Sequence, residues 1–278
     1  MTFALDHVVI NTLFDMDRAA DLMSRLGFTL TPRGYHSLGS INHLMMFEQD
    51  YLELIGLPSG TDVLRKDVLQ SPRGLDGLVF KAGDIDTCER SLRDGGLAML
   101  EPRSFSRPVT IDGVEHLARF RTVRTAPELF EAGRVYYCQH TTPELVWHRP
   151  WMSHPNGCHG LSELVVVTSN IEVDAPRYAN AAQSSAEGQG GDWTIALSGG
   201  FRLTLISPSR YRERYGDQCV EADGRQSFFG AIVFDASDLA RVRDFASSSA
   251  DLRVGTDKMS LAVLIPFLNT LLEFRERS

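Results

Sequence analysis

The chain has 278 residues, of which 43% are hydrophobic and 23% charged, and its formal net charge at pH 7 is −8. This composition is typical of a soluble globular protein, and the length suits two domains of ordinary size. The acidic charge argues against a nucleic-acid partner, which would require a clustered basic face.

Cysteine usage and hydropathy indicate the compartment. The four cysteines, Cys88, Cys138, Cys158 and Cys219, lie far apart and form no Cys-x-x-Cys pair, which favours reduced thiols in a cytoplasmic protein. The first residues enter a strand pattern at once, without the basic start and apolar run of a signal peptide. No stretch approaches 18 uninterrupted apolar residues, so we expect no membrane partner.

Four segments of the chain begin with nearly the same pattern of residues. They are Leu5-Asp6-His7-Val8-Val9-Ile10, Leu75-Asp76-Gly77-Leu78-Val79-Phe80, Leu161-Ser162-Glu163-Leu164-Val165-Val166 and, more loosely, Phe228-Phe229-Gly230-Ala231-Ile232-Val233. The spacing is too long for a solenoid repeat and is long enough for one helix with several strands. The sequence therefore predicts four modules of similar architecture.

The hydrophobic pattern predicts the same element order in the first two modules. The run at 5–11 is apolar and rich in β-branched residues, which is typical of a strand covered on both faces. Asp15 can begin the helix that follows, and Gly27 can end it. The first module is predicted to contain a strand at 5–11, a helix at 15–25, a short strand at 28–31, and a hairpin of 41–47 and 51–55. The second is predicted to contain a strand at 76–81, a helix at 84–94, and strands at 105–111, 117–123 and 135–140.

The other two modules follow a connector at 146–160 that is rich in Pro, Trp and His. That composition indicates a packed segment instead of a flexible tether. The third module is predicted to contain a strand at 161–168, a helix at 175–183, a polar loop at 184–191, and strands at 193–197 and 201–206. The fourth is predicted to contain a strand at 229–234, a helix at 238–247, and strands at 261–266 and 270–274.

This order of elements resembles that of the vicinal oxygen chelate superfamily, in a glyoxalase-like branch. The superfamily includes glyoxalases, bleomycin-resistance proteins and extradiol dioxygenases. The segments that carry the resemblance are Leu5-Asp6-His7-Val8-Val9, Tyr51-Leu52-Glu53-Leu54-Ile55 and 136–144. The resemblance implies an α+β fold in which four βαβββ modules pair into two half-barrel domains. These would be a first domain at 1–145 with the candidate site, the connector, and a second, degenerate domain at 161–278.

The resemblance also implies metal ligands on the first and last strands of a module. Aligning the last strands on their closing prolines sets Glu53 over Cys138, with His140 one pleat further on the same face. His7, Glu53 and His140 are therefore the predicted ligands of a divalent metal (Fe²⁺, Mn²⁺, Zn²⁺ or Ni²⁺), and open positions would remain for a substrate. His7 and Glu53 are also the predicted catalytic residues. A four-ligand centre is not reproduced, because Gly77 stands at one ligand position.

Each of these residues also has a structural interpretation. His7 could be an ordinary buried histidine, His140 could bond to the connector, and Glu53 could face solvent from an edge strand. Arg119 and Arg121 share one strand face, which would hold an anionic substrate if it looks into the cup and would otherwise be a solvated outer face. Asn42 and Cys138 are predicted substrate contacts, Asn42 by resemblance to glyoxalase-like relatives.

The second half carries fewer metal-type residues at the matched positions. Glu163 matches His7, Leu203 matches Glu53 and Glu273 matches Cys138, and no histidine remains. We therefore expect this half to be degenerate.

Two functions remain open at this stage. The leading hypothesis is a metal-dependent enzyme that acts on a small oxygenated molecule, which could be anionic, by isomerase, lyase or dioxygenase chemistry. The alternative is a metal-free protein that sequesters a small molecule in an apolar cup, where His7 and Glu53 would bond to each other. The partner in either case is a small molecule, and the modular architecture also permits a homodimer.

Overall fold

The structure is a computed structural model, and it describes residues 2–255 and 259–277. The strands of the first half are β1 Leu5–Leu13, β2 Gly34–Tyr35, β3 Ile41–Met46, β4 Tyr51–Gly56, β5 Gly74–Lys81, β6 Arg103–Ile111, β7 Val114–Arg124 and β8 Arg134–His140. Those of the second half are β9 Cys158–Thr168, β10 Ala186–Gln189, β11 Asp192–Ala196, β12 Arg202–Ile206, β13 Ser227–Ala236, β14 Arg253–Val254, β15 Leu261–Ile265 and β16 Thr270–Glu276. The α-helices are α1 Met16–Arg25, α2 Lys66–Leu69, α3 Ile85–Asp94, α4 Ile171–Ala182, α5 Pro208–Tyr215 and α6 Leu239–Ser247.

The two halves form two eight-stranded sheets with the same strand order. The first runs β2-β3-β4-β1-β5-β8-β7-β6, and the second runs β10-β11-β12-β9-β13-β16-β15-β14. In the first sheet β1 and β5 are antiparallel neighbours at the centre, and each pairs in parallel with the last strand of its own module. This confirms the predicted α+β fold, in which βαβββ modules pair into two glyoxalase-like units.

Alternation along the strands separates two faces of the first sheet. Val8 and Ile10 of β1 belong to the core that includes the helices, whereas Val9 belongs to a second cluster on the concave face, which we call the cup. The same alternation points Tyr51 and Ile55 of β4 into the cup. Side chains at alternate positions of a strand share a face, so His7 and Glu53 also face the cup, and both line its cavity.

The helix-side core is shared between the two halves. The hydroxyl of Tyr137 on β8 donates a hydrogen bond of 2.7 Å to the carbonyl of Ala181 in α4. The rings of Phe28 and Phe234 pack with their centroids 5.3 Å apart. His154 of the connector is buried, and its ring nitrogens bond to Thr29 and Met46. The connector is therefore packed, as its composition indicates.

Several local predictions are wrong. No strand forms at 28–31, because Thr31 makes only two hydrogen bonds to Leu44 instead of a ladder. The expected loop at 184–191 contains β10, and α4 begins at Ile171 with Pro176 inside it. The short helices α2 and α5 were not predicted from the sequence pattern. No helix in the described part of the chain is long and apolar enough to cross a membrane.

Gly77 provides a direct test of the packing between the two central strands. It lies opposite Val9 in the β1–β5 pair, and a Cβ at position 77 would lie 2.7 Å from Val9 Cγ2. We expect Gly77→Ala to lower the free energy of unfolding by about 1–3 kcal/mol through overpacking, measured by urea denaturation. Gly83→Ala is the matched control, since a Cβ there would meet nothing within 4 Å. Equal effects of the two substitutions would contradict this packing.

Candidate functional site

The candidate site is the cup of the first half. Its cavity encloses about 600 Å³ of empty space, including the part open to solvent at the mouth. The polar side chains that line it come from β1, β3, β4, β6, β7 and β8 and from the β2–β3 and β4–β5 loops, and the apolar lining includes Leu44, Phe105 and Phe120. The lining residues with ionisable or amide groups are His7, His36, Asn42, Tyr51, Glu53, Arg65, Arg103, Arg107, Arg124, Tyr136 and Cys138.

The pairing register identifies which residues occupy equivalent positions in the two modules. Val9 of β1 pairs with both Gly77 and Glu53, and Val79 of β5 pairs with both His7 and Tyr136. When the first module is superposed on the second with Val9 on Val79, His7 therefore lies on Gly77 and Glu53 lies on Tyr136. The alignment of the last strands on their prolines, which set Glu53 over Cys138, is wrong by one pleat.

A β-bulge brings an unpredicted carboxylate to the site. Leu5 pairs with Phe80 and His7 pairs with Val79, so Asp6 is an extra residue between two consecutive pairs. Strict alternation would turn Asp6 away from His7, but a bulge re-aims the side chain. Asp6 is fully buried, and its Oδ1 atom lies 2.6 Å from His7 Nδ1 and 3.0 Å from His140 Nε2.

Asp6 fixes the tautomer of His7. Because an ionised carboxylate only accepts hydrogen bonds, His7 Nδ1 carries the proton, and His7 Nε2 keeps its lone pair. Although burial opposes the ionisation of Asp6, the two imidazoles hold the pKa of its carboxyl well below the usual range. His7 Nε2 faces the cup, 3.6 Å from Glu53 Oε2 and 3.4 Å from the hydroxyl of Tyr136.

Glu53 is held from the opposite side by a buried chain of polar groups. Asn42 Nδ2 donates a hydrogen bond of 2.7 Å to Glu53 Oε1 and lies 3.2 Å from His36 Nε2. His36 Nδ1 in turn lies 2.8 Å from Ser40 Oγ. Burial and the guanidiniums of Arg65 and Arg107 lower the pKa of His36, which is therefore neutral. The polar groups thus form a series from Asp6 through His7, Glu53, Asn42 and His36 to Ser40. The longest distance between neighbours in this series is the 3.6 Å between His7 Nε2 and Glu53 Oε2.

His140 does not join His7 and Glu53, so the three predicted ligands do not converge. Its Nε2 forms a hydrogen bond with Asp6, and its buried Nδ1 has no hydrogen-bond partner among the residues that the structure describes. Within residues 2–255 and 259–277, one group of three metal-type side chains has all its ligand atoms within 4.8 Å, namely Asp6, Cys138 and His140. Burial and Asp6 raise the pKa of the Cys138 thiol, which is therefore protonated here. Cys138 lines the cup, as predicted for a substrate contact.

The prediction that Arg119 and Arg121 could look into the cup is wrong. Ala118 and Phe120 of β7 pack in the cup cluster, so Arg119 and Arg121, at the alternate positions of the strand, face outward. Arg121 makes two hydrogen bonds of 2.8 Å to Asp86 of α3, and Arg119 is exposed. The arginines that do line the cavity are Arg65, Arg103, Arg107 and Arg124. None of these four arginines is among the substrate contacts predicted from the sequence.

The second cup has lost the equivalent site. Its register sets Thr204, and not the expected Leu203, at the position of Glu53, and Glu273 at that of Tyr136 instead of Cys138. Arg214 of α5 bridges Glu163 and Glu273 with hydrogen bonds of 3.0 and 2.8 Å. A guanidinium therefore lies between the two carboxylates at these matched positions.

The chain matches the model of a family described as "Glyoxalase-like domain" over residues 5–182. It therefore belongs to the glyoxalase-like domain family. None of the curated proteins matches it.

Among solved structures, a hypothetical protein from Staphylococcus aureus is similar, with a TM-score of 0.68 and 11% identity over 98% of this chain and 99% of that one. A mutant of 4-hydroxymandelate synthase from Streptomyces coelicolor gives a TM-score of 0.55 and 14% identity, and the match covers 100% of this chain and 93% of that one. A xylose isomerase-like TIM barrel/4-hydroxyphenylpyruvate dioxygenase fusion protein gives a TM-score of 0.57 and 14% identity, and the match covers 100% of this chain and 50% of that one. At these identities the likeness shows the fold alone.

Glu163 offers a test of the second cup. Burial disfavours its charge, but Arg214, Arg275 and Arg202 outweigh this and lower its pKa to about 2. We expect Glu163→Gln to lower the free energy of unfolding by about 1–2 kcal/mol at pH 7, because it removes the buried carboxylate that three partly exposed guanidiniums share. A carboxylate with a lowered pKa stabilises the fold above its unfolded pKa, and this contribution is lost on acidification. The difference between variant and wild type should therefore shrink below pH 4.5, and a constant difference would contradict this account.

Proposed function

We propose that the first cup is the active site of a metal-dependent glyoxalase-like enzyme that acts on a small oxygenated molecule. The observation that carries this proposal is the 3.6 Å gap between His7 Nε2 and Glu53 Oε2. Both groups are buried, both are oriented by a second residue, and their separation is longer than a hydrogen bond. A metal-free binder in which His7 and Glu53 are hydrogen-bonded is less well supported.

The donor set fits a divalent ion. Two donors that share an ion at about 2.0–2.2 Å each lie at most about 4.4 Å apart, and the His7–Glu53 separation satisfies this limit. The hydroxyl of Tyr136, 3.4 Å from His7 Nε2, is the third oxygen or nitrogen donor at a position equivalent to Glu53. Imidazole and oxygen donors suit Zn, Mn and Fe. The contact between Asp6 and His7 is the arrangement that orients metal-binding histidines in proteins.

The remaining groups then have defined roles. When bound, the ion would polarise a carbonyl or hydroxyl oxygen of the substrate. Asp6 keeps the Nε2 lone pair of His7 directed into the cup, and Asn42 keeps Glu53 from rotating away. Glu53 Oε2 forms no hydrogen bond with the residues that the structure describes and lies 3.6 Å from His7 Nε2, so it can accept a proton from a substrate carbon or hydroxyl beside it. Phe105 and Phe120 restrict water at the cavity wall.

Elemental analysis of protein purified without added metal, followed by chelation and reconstitution, tests the proposal. We expect one divalent ion per chain and an affinity reduced at least about 100-fold in His7→Ala. Asp6→Asn should reduce it about 10–100-fold, as for other residues that orient a ligand. His159→Ala is the matched control, since His159 is exposed and lies in the second half.

Two outcomes would contradict the proposed site. If no divalent ion co-purifies or binds on reconstitution, the protein is not metal-dependent. If His7→Ala retains the ion while Cys138→Ser loses it, the ion lies in the group of Asp6, Cys138 and His140. Consumption of oxygen during turnover would assign dioxygenase chemistry, and turnover without oxygen would assign isomerase or lyase chemistry.

A further inference from the structure

Arg107 is a buried cation without a partner. It lies on β6, is 2% exposed and lines the cup. Its guanidinium makes no hydrogen bond or ion pair with any residue in the described part of the chain, and its Nη2 atom is among the buried polar atoms that lack a partner. Burying a charge without compensation is costly, so a fold that retains such a charge provides a position for an anion.

The neighbours of Arg107 do not supply that anion. Glu53 and Tyr51 are the groups that favour its charge electrostatically, but neither forms an ion pair with it. Glu53 is already engaged by Asn42 and faces His7. His36, which also faces this part of the cup, is neutral because burial and two arginines lower its pKa. Burial lowers the pKa of Arg107 itself, in agreement with a charge that lacks a counterion.

A buried acceptor without a partner lies beside this cation. The Oδ1 atom of Asn42 is buried and accepts no hydrogen bond from the described residues. A Cβ on Gly34 would lie 2.2 Å from Asn42 Oδ1 and 3.2 Å from Arg107 Nη1, so both atoms pack against Gly34 and lie near each other. Both residues line the cavity. The amide cannot be turned round to satisfy Oδ1, because its Nδ2 already donates to Glu53.

We propose that Arg107 and Asn42 recognise a small carboxylate that carries a hydroxyl next to its charged group. The carboxylate pairs with the guanidinium, which suits bidentate recognition of carboxylates, and the hydroxyl donates to Asn42 Oδ1. Each of the two buried groups then gains the partner that it lacks. This inference names the substrate class of the proposed active site, and it rests on that proposal only for the statement that the ligand is a substrate.

Three matched probes separate the two contacts. Lactate has both groups, propionate lacks the hydroxyl, and lactamide lacks the charge. Their affinities can be obtained from the rise in the midpoint of thermal unfolding with ligand concentration, at constant ionic strength. We expect lactate to bind most tightly, and propionate and lactamide to bind more weakly, with lactamide giving almost no shift.

Arg107→Met removes the charge and retains much of the volume. We expect it to weaken lactate binding about tenfold or more, while Arg119→Met, on the outer face of the neighbouring strand, binds lactate as wild type does. Without ligand, Arg107→Met should unfold at an equal or higher temperature, because an unpaired buried charge has been removed. A residue with a merely structural role would give a lower temperature.

Undiminished lactate binding by Arg107→Met, or equal binding of lactate and lactamide by the wild type, would overturn the inference. Equal binding of lactate and propionate would overturn the role of Asn42. All measurements are repeated on chelated protein and on His7→Ala. Binding that depends on Arg107 and persists without metal would support this inference even if the metal-dependent function fails.

Discussion

The candidate site depends on the buried carboxylate of Asp6, which accepts hydrogen bonds from His7 and His140 at once. The bulge between Leu5 and His7 turns this carboxylate toward the two imidazoles. Desolvation opposes its charge, and the two donors compensate for it. Because the Nδ1–H of His7 donates a hydrogen bond to Asp6, the Nε2 lone pair faces Glu53. The carboxylate of Asp6 also binds Nε2 of His140. This histidine therefore does not join His7 and Glu53 in the predicted set of ligands.

The two cups show how one scaffold can keep or lose a site. The second half repeats the bulge at Ser162, which lies unpaired between Leu161 and Glu163, but it carries no carboxylate there. In the second cup, Tyr211 and Tyr215 of α5 pack in the apolar cluster, and Arg214 of the same helix pairs with Glu163 and Glu273. In the first cup, Arg107 has no ion-pair partner among the described residues. The two cups therefore differ in whether a cation inside them is paired.

Much of this fold was predictable from the sequence, and the site was predictable in part. The repeated start of each module predicted four βαβββ modules, and His7 and Glu53, which were predicted to share a site, line one cavity. The sequence alignment matched Glu53 with Cys138, whereas the structure matches it with Tyr136. The alignment failed because the closing prolines do not fix the register of the strands. Asp6 was missed because a bulge breaks the alternation on which the prediction rested. The sequence could not predict that Arg119 and Arg121 face outward, because this depends on the register in which β7 pairs with β8. The residue pattern of one strand does not contain that register.

The central claim is that Asp6 holds His7 as the tautomer protonated on Nδ1, with the Nε2 lone pair directed at Glu53 and the hydroxyl of Tyr136. The ¹⁵N chemical shifts of the His7 ring in metal-free protein at neutral pH, assigned with a His7→Gln variant, report this directly. The account predicts a protonated Nδ1, an unprotonated Nε2, and the loss of this preference in Asp6→Asn. A His7 ring protonated on Nε2 in the wild type would contradict it.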